Sequence, residues 1–272
     1  MKVYVLVDNT SVPGGPEGEH GLSLFIESGK HKIVFDTGQG ERFLRNAEKM
    51  NVNLSDAQAA VISHGHYDHG GGIEHFIEIN KTAPVYVHRD AFKPHLAFRG
   101  GKYTDIGINP DLKNNARTVL TDGITEIAEE LILFSGTENR YPLPPGNENL
   151  LTGPTENPYP DKFEHEQNLI IKEDGKTVLI TGCSHRGIAN IVTGAKEILG
   201  KFPDIVIGGF HLRARPGNKE DLSHIRRTSE VLSETGAKFY TGHCTEESAY
   251  ETMKEVLKEN IGKMGTGNIL VP

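Results

Sequence analysis

A segment rich in histidine and glycine, residues 63–72, constrains this chain more than any other part of it. It follows the apolar run Ala59–Ile62, which has the pattern of a buried strand. Within six positions it contains three histidines and one aspartate, namely His64, His66, Asp68 and His69. Such side chains bind zinc, iron or manganese, and two ions about 3.5 to 4 Å apart can clamp a shared hydroxide. A polar surface loop is the alternative, but four ligands at this spacing favour a two-metal site, with the first two histidines on one ion and the other pair on the second.

Strand and helix signals alternate along the chain. Short β-branched or apolar runs predict strands at Val3–Val7, Leu22–Glu27, Lys32–Phe35, Ala59–Ile62, Val85–His88, Arg117–Leu120, Ile124–Ile127, Leu131–Phe134, Asn168–Lys172, Thr177–Thr181, Ile205–Ile207 and Lys238–Tyr240. Helical spacing predicts helices at Gln39–Met50, Gly72–Ile79, Ile188–Leu199, Leu222–Glu234 and Glu246–Glu259, the last with Thr245 as its N-cap. This alternation indicates an α/β fold with two sheets packed face to face and helices outside. We expect one domain, residues 1–272, made of two halves at 1–135 and 165–272.

The two halves are joined by a segment, residues 136–166, that holds six prolines and lacks a sustained apolar period. We interpret it as a long loop. Loops of this length inside a compact domain are uncommon and often serve as lids or binding loops. A lid that shapes substrate specificity is favoured over a plain linker.

Composition excludes several classes of protein. The chain has 29 Lys and Arg against 37 Asp and Glu, a net charge of −8, so it would repel a phosphate backbone, and no nucleic-acid partner is expected. No apolar run approaches the ~20 residues of a membrane span, and the first residues lack a signal-peptide pattern. Two cysteines cannot form a disulfide framework. We therefore expect a cytoplasmic protein that acts on a small molecule. A homo-oligomer is possible, and the sequence does not fix the oligomeric state.

The motif His64-x-His66-x-Asp68-His69 resembles the signature of the metallo-β-lactamase superfamily. Upstream, residues 34–38 (Val-Phe-Asp-Thr-Gly) resemble the strand-ending Asp-Thr-Gly of the same family. The resemblance implies a four-layer αβ/βα sandwich, with two mixed β-sheets, outer helices and metals at the edge between the sheets. It also implies that Asp36 holds the metal-binding loop in place without binding the metal itself.

The resemblance implies further ligands from the second half: a histidine, a bridging aspartate and a final histidine. His243 matches the final one. Where many members carry the bridging aspartate, this chain has Cys183 and His185 and no aspartate; either could take the place, and His185 is preferred because an isolated thiolate suits a hydrolytic site less well. His165 precedes a strand as the remaining histidine does, and a surface role is equally consistent. On this basis His64, His66 and His185 hold one metal, and Asp68, His69 and His243 hold the other.

Other residues are open to two interpretations. His211 follows a strand and is a ligand, a proton donor to the leaving group, or a buried core histidine. Cys183 and Cys244 are a redox pair or, as is commoner, small buried apolar side chains. Arg213 and Arg215 receive an anionic substrate group or belong to a solvated basic loop.

The segments around Cys183, His211 and His243, and the opening Glu19-His20-Gly21-Leu22, resemble one branch of the superfamily. That branch includes proteins named for joining a dihydropterin to a ribofuranosylaminobenzene phosphate, and many uncharacterised metal-dependent hydrolases. We expect a hydrolase with two divalent metal ions, zinc first and manganese or iron as alternatives. Its substrate would be a small anionic ester, a phosphoester by preference, with Asp68 and His211 as catalytic residues. The alternatives are a transferase of the pterin type and a redox or sensing metalloprotein.

Overall fold

The computed structural model describes residues 1–272. The strands are β1 (Lys2–Val7), β2 (Ser23–Ser28), β3 (His31–Phe35), β4 (Ala59–Ile62), β5 (Val85–His88), β6 (His95–Arg99), β7 (Lys102–Asp105), β8 (Thr118–Thr121), β9 (Ile124–Ala128), β10 (Leu131–Ser135), β11 (Leu150–Thr152), β12 (Tyr159–Pro160), β13 (Gln167–Glu173), β14 (Lys176–Ile180), β15 (Ile205–Gly208), β16 (Lys238–Thr241), β17 (Ile261–Lys263) and β18 (Ile269–Leu270). The helices are α1 (Arg42–Lys49), α2 (Tyr67–Gly70), α3 (Ile73–Ile79), α4 (Ile188–Leu199), α5 (Lys219–Ser233) and α6 (Glu247–Leu257). Every predicted strand and helix is present, with ends that differ by up to three residues.

Two mixed seven-stranded sheets form the framework. The first has the order β18-β1-β2-β3-β4-β5-β8, and the second has the order β17-β16-β15-β14-β13-β10-β9. Strands β3, β4, β5 and β8 run parallel in the first sheet, and β14 to β17 run parallel in the second. The remaining pairs, apart from those of a small third sheet, are antiparallel extensions of these parallel blocks.

Three apolar cores separate four layers. The central core joins the facing sides of the two sheets, for example Val5 of β1 and Ile180 of β14. Successive strand residues point to opposite faces, so Leu6, next to Val5, packs instead in the outer core beneath α1 and α3. A third core packs the other sheet against α4, α5 and α6. The layers are thus helices, sheet, sheet and helices, as the sequence predicts.

The two sheets divide the chain differently from the two halves. Strands β9 and β10 precede residue 136 but belong to the second sheet, and β18 at the end of the chain returns to pair with β1. The two halves predicted from the sequence therefore do not coincide with the two sheets. Thr245 is also not the N-cap of α6, which is Glu246; Thr245 Oγ1 instead accepts the Phe210 N–H at 3.0 Å.

The segment 136–166 is more ordered than the predicted long loop. It contains a 3₁₀ turn, Pro145–Asn149, followed by β11 and β12. Strand β11 pairs with β12 and with β6, and β6 pairs with β7, which gives a third sheet of order β12-β11-β6-β7. Sequence patterns missed β7 because all four of its residues are exposed and carry no apolar alternation. None of the helices combines the length and the apolar character that crossing a bilayer requires.

Candidate metal centre

Loops at the carboxyl ends of the parallel strands bring the predicted site residues together. Asp36 follows β3, and the segment that begins at His64 follows β4. In the second sheet, Cys183, His211 and His243 follow β14, β15 and β16. Because the carboxyl ends of parallel strands meet at one edge of a sheet, all of these side chains collect where the two sheets face each other.

The first cluster consists of His64, His66 and His185. His64 Nε2 lies 3.0 Å from His66 Nδ1, and the His185 ring is centred 5.0 and 4.9 Å from those two rings. All three side chains are buried. His185 also stacks on Phe163 of the segment 136–166, with ring centres 4.4 Å apart and planes 6° from parallel.

The second cluster consists of Asp68, His69 and His243. The two Nε2 atoms lie 3.0 Å apart, and Asp68 Oδ2 is 3.6 Å from that of His69 and 3.5 Å from that of His243. On its open side, Asp68 Oδ2 is 3.3 Å from Nε2 of the exposed His20. Cys183 Sγ lies between this cluster and the first, at 3.1 Å from His69 Nε2 and 3.2 Å from His243 Nε2.

Four of these histidines are oriented by an oxygen atom behind the ring. The contacts of Nδ1 are Ser63 Oγ for His64 (2.9 Å), Asp36 Oδ2 for His69 (2.7 Å), Asn147 Oδ1 for His185 (2.9 Å) and Asn9 Oδ1 for His243 (2.9 Å). Carboxylate and amide oxygens can only accept hydrogen bonds, and the Ser63 hydroxyl already donates its hydrogen to Asp36 at 2.7 Å. In each of the four pairs the hydrogen is therefore on Nδ1 of the histidine. The Nε2 lone pairs are therefore directed into the site, which is the arrangement found behind metal-binding imidazoles.

The donor set fits two cations. Nitrogen atoms about 2.0 to 2.1 Å from one zinc ion lie roughly 3 Å apart, as the paired ring nitrogens do in both clusters. Lone pairs that face each other at this distance repel unless a proton or a cation lies between them. The buried Nε2 atoms of His66 and His185 have no hydrogen-bond partner, a cost that a bound cation would remove for His185.

The protonation states support the same conclusion. Burial lowers the pKa values of His64, His66, His185 and His243 well below the usual value near 6.5, which keeps these rings in the neutral form that binds metals. Burial also acts to lower the pKa of His69, but the Asp36 and Asp68 carboxylates outweigh it and raise that pKa to about 9. Without a metal, the two carboxylates therefore favour a second proton on His69, at Nε2, and a cation bound at the second cluster would replace that proton.

The structure places His165 outside both clusters. Its Nδ1 accepts the Gly65 N–H at 2.9 Å, and its Nε2 donates to Asp161 Oδ2 at 3.2 Å. The same Asp161 oxygen binds His95 Nδ1 at 3.0 Å. Although burial raises it, the pKa of Asp161 is held far below its usual range by these histidines. With both ring nitrogens engaged, His165 positions the Gly65 backbone between two metal-binding candidates.

Sequence reasoning missed two buried carboxylates that hold the loops of the second sheet. Glu166 accepts the N–H groups of His185 and Arg186 at 2.6 and 2.8 Å, and burial raises its pKa to about 7. Asp8 accepts the His243 N–H at 2.7 Å, and burial raises its pKa to about 6. Glu166 and Asp8 each lie next to a predicted buried strand. An acidic residue at the end of such a strand was the sequence signal that could have identified them.

A cavity of about 400 Å³ opens above the second cluster. Its lining includes His20, Arg99, His211, Arg213 and Cys244. The His211 ring is centred 4.2 Å from that of His185, and its buried Nδ1 has no partner. Arg213 is paired with Glu246 at 3.3 Å, whereas Arg99 on β6 has no acidic partner.

The structure keeps Arg215 away from the cavity lining. Its guanidinium forms two hydrogen bonds with the Asp221 carboxylate, at 2.8 and 2.9 Å, and a third with Glu148 at 2.6 Å. These contacts occupy the groups that a substrate anion would need. Cys244, the other cysteine, accepts the His211 N–H on Sγ at 3.1 Å and faces the Cys183 carbonyl at 3.5 Å.

Comparison with known families identifies the superfamily of the chain. Residues 16–230 match the model of the metallo-beta-lactamase superfamily. The chain belongs to this superfamily. It has the metal-dependent hydrolase fold of that superfamily, and the αβ/βα sandwich predicted from the sequence is confirmed. In this superfamily member, all six predicted ligand residues converge on one edge of the sandwich.

Several individual proteins are similar over most of their length. A 7,8-dihydropterin-6-methyl-4-(beta-D-ribofuranosyl)-aminobenzene-5'-phosphate synthase of Methanocaldococcus jannaschii is 30% identical over 292 aligned residues, which cover 99% of this chain and 96% of the relative. An uncharacterized protein of that organism is 34% identical over 229 residues, which cover 77% of this chain and 79% of that relative. The crystal structure of a metal-dependent hydrolase of the beta-lactamase superfamily has a TM-score of 0.83 at 30% identity, covering 100% and 99% of the two chains.

Proposed function

We propose that the protein is a hydrolase that depends on two divalent cations, with zinc as the expected metal. The first cluster would hold one ion and the second cluster the other. Two ions bound side by side would supply an activated water and polarise an oxygen atom of the substrate. The observation that carries the proposal is the convergence of six buried side chains, four of them histidines whose Nδ1 contacts an oxygen atom, next to an open cavity that His243 lines.

The cavity favours a small anionic ester, with a phosphoester as the first choice. Its volume of about 400 Å³ suits a small molecule. Arg99 and Arg213 stand at its wall, and His20 lies beside the second cluster. A guanidinium without an acidic partner, as in Arg99, is free to bind a phosphate or carboxylate through two N–H groups.

Two residues have roles in proton movement. Asp68 is the carboxylate of the second cluster, and its Oδ2 lies 3.3 Å from Nε2 of His20 at the cavity wall. This oxygen would orient the attacking water. His211 lines the cavity next to His185, and its unpartnered Nδ1 is available to carry a proton to the leaving group.

The test combines metal content with turnover. Elemental analysis should find about two zinc ions per chain in the wild type and in His75→Ala, a control at a half-exposed histidine on α3. His64→Ala should lose at least one ion. Screening phosphoesters and lactones should find activity that chelation and Asp68→Ala abolish. Turnover by the metal-free protein would refute the proposal.

A second candidate function is group transfer in pterin-type biosynthesis. It is favoured by the similarity over nearly the whole chain to a relative named as a synthase that forms a dihydropterin-linked ribofuranosylaminobenzene phosphate. The two functions differ in what attacks the substrate, which is water in hydrolysis and carbon in the transfer. Reaction in ¹⁸O-labelled water separates them, because only hydrolysis places the label in an organic or phosphate product.

A further inference from the structure

Cys183 belongs to neither cluster, but its sulfur atom lies close to both of them. It is buried in the turn after β14, and its Sγ is 3.1 and 3.2 Å from the two Nε2 atoms of the second cluster. The same sulfur lies within 4.8 Å of ring nitrogens of His64 and His185 in the first cluster. It is therefore a donor atom that faces both proposed metal positions.

We infer that the Cys183 thiolate is a ligand shared by both ions, in the place where the superfamily resemblance implies a bridging aspartate. The inference rests on the proposed two-metal site. A single sulfur atom has more than one lone pair and can bind two cations, and binding releases the thiol proton to solvent. His185, the residue preferred for this place from the sequence, reaches the first cluster only.

The backbone around Cys183 is fixed in a way that suits a ligand. A Cβ atom on the preceding Gly182 would lie 2.1 Å from Ser63 Oγ, so only glycine lets this turn pass so close to the loop that carries His64. The following Ser184 has a φ of 61°, and its hydroxyl bonds the Gly209 carbonyl at 2.7 Å. Strain of this kind persists where the surrounding structure holds a functional group in place.

Metal preference should follow from the sulfur. Nitrogen and carboxylate ligands alone accept manganese or magnesium as readily as several other ions, whereas a thiolate selects softer metals such as zinc, cobalt and cadmium. Because the sulfur would contact both ions, its loss should weaken both sites. Loss of a residue that only hydrogen-bonds to a metal ligand lowers metal affinity about 10- to 100-fold. Because Cys183 would be a ligand itself, we expect Cys183→Ser to lower cobalt affinity about 100-fold or more.

Cobalt titration of the full chain tests the inference through a spectroscopic signal. A thiolate bound to Co²⁺ gives an intense near-ultraviolet charge-transfer band, which imidazole and carboxylate ligands do not give. The band should appear in the wild type and in Cys244→Ser. It should be absent in Cys183→Ser even at cobalt concentrations high enough for that variant to bind Co²⁺. Circular dichroism checks that each variant is folded.

Two further variants test whether the sulfur is shared. His185→Ala weakens the first cluster and His243→Ala weakens the second, so a shared thiolate keeps its band in both. Loss of the band in only one of them would assign the sulfur to a single ion and overturn the inference. Two cobalt ions bound by the wild type without the band would overturn it while leaving the proposed function intact. Failure of the wild type to bind cobalt or zinc would contradict the proposed function itself.

Discussion

Replacement of Asp36 by asparagine tests how strongly the metal centre depends on residues behind its ligands. The Asp36 carboxylate is fully buried and accepts three hydrogen bonds of 2.7 Å, from the Ser63 N–H, the Ser63 hydroxyl and His69 Nδ1. In Asp36→Asn the side chain keeps its size, but its NH₂ group faces at least one of these donors. At least one hydrogen bond to a charged group is then lost, which costs about 1.5 to 3 kcal/mol.

Most of that cost should fall on metal binding, because His69 and His64 both depend on Asp36, directly or through Ser63. At 1.4 kcal/mol for each factor of ten, we expect zinc affinity to fall about 10- to 100-fold. Competition with a chromophoric chelator measures the affinity, and thermal unfolding confirms that the fold is kept. Asp111→Asn, at an exposed site, is the matched control. A zinc affinity within threefold of the wild type in folded Asp36→Asn would refute the reasoning.

Four further predictions follow from the site. Removal of the metals by a chelator should lower the temperature of the unfolding midpoint by about 5 to 10 °C, relative to protein with free metal at 100 times the dissociation constant. An unchanged midpoint would contradict this. In the metal-free protein, Glu166 has a folded pKa of about 7, above its unfolded value near 4.5, so its stabilising contribution is full below pH 4.5 and is lost as the pH rises through 7. Denaturant titrations should show the wild type losing roughly 3 kcal/mol relative to Glu166→Gln over that range, and parallel pH profiles would argue against it. Arg99→Ala should raise KM for anionic esters about tenfold with little change in kcat, whereas an equal change for neutral esters would exclude a charge effect. His211→Gln should lower kcat about 10²- to 10⁴-fold for esters whose leaving group needs a proton and much less for esters with a good leaving group, and an equal loss for both would assign the proton to another residue.

The local part of the site could be predicted from the sequence. His64 to His69 lie on one loop after a buried strand, and their side-chain types alone indicate a candidate metal centre. The order of most strands and helices also followed from apolar periodicity, because the two large sheets and their helices bury alternating residues. The short edge strands β17 and β18 were not predicted. What the sequence could not supply were side chains brought in by distant segments.

Asn9 and Asn147 illustrate that limit. They lie in loops 138 residues apart, and each accepts the Nδ1 hydrogen of a histidine in a different cluster. Nothing local distinguishes such an asparagine from an ordinary loop residue. The position of Cys183 is a second case, since chemical preference favoured His185 for the bridging place, whereas the turn after β14 puts the sulfur between the clusters.

The most direct test of the two-metal site is anomalous X-ray scattering at the zinc edge from crystals of the zinc-loaded protein. The account predicts two anomalous peaks about 3.5 to 4 Å apart, one within coordination distance of His64 Nε2, His66 Nδ1 and His185 Nε2, and the other beside the second cluster. A single peak, or peaks away from these nitrogen atoms, would contradict the account.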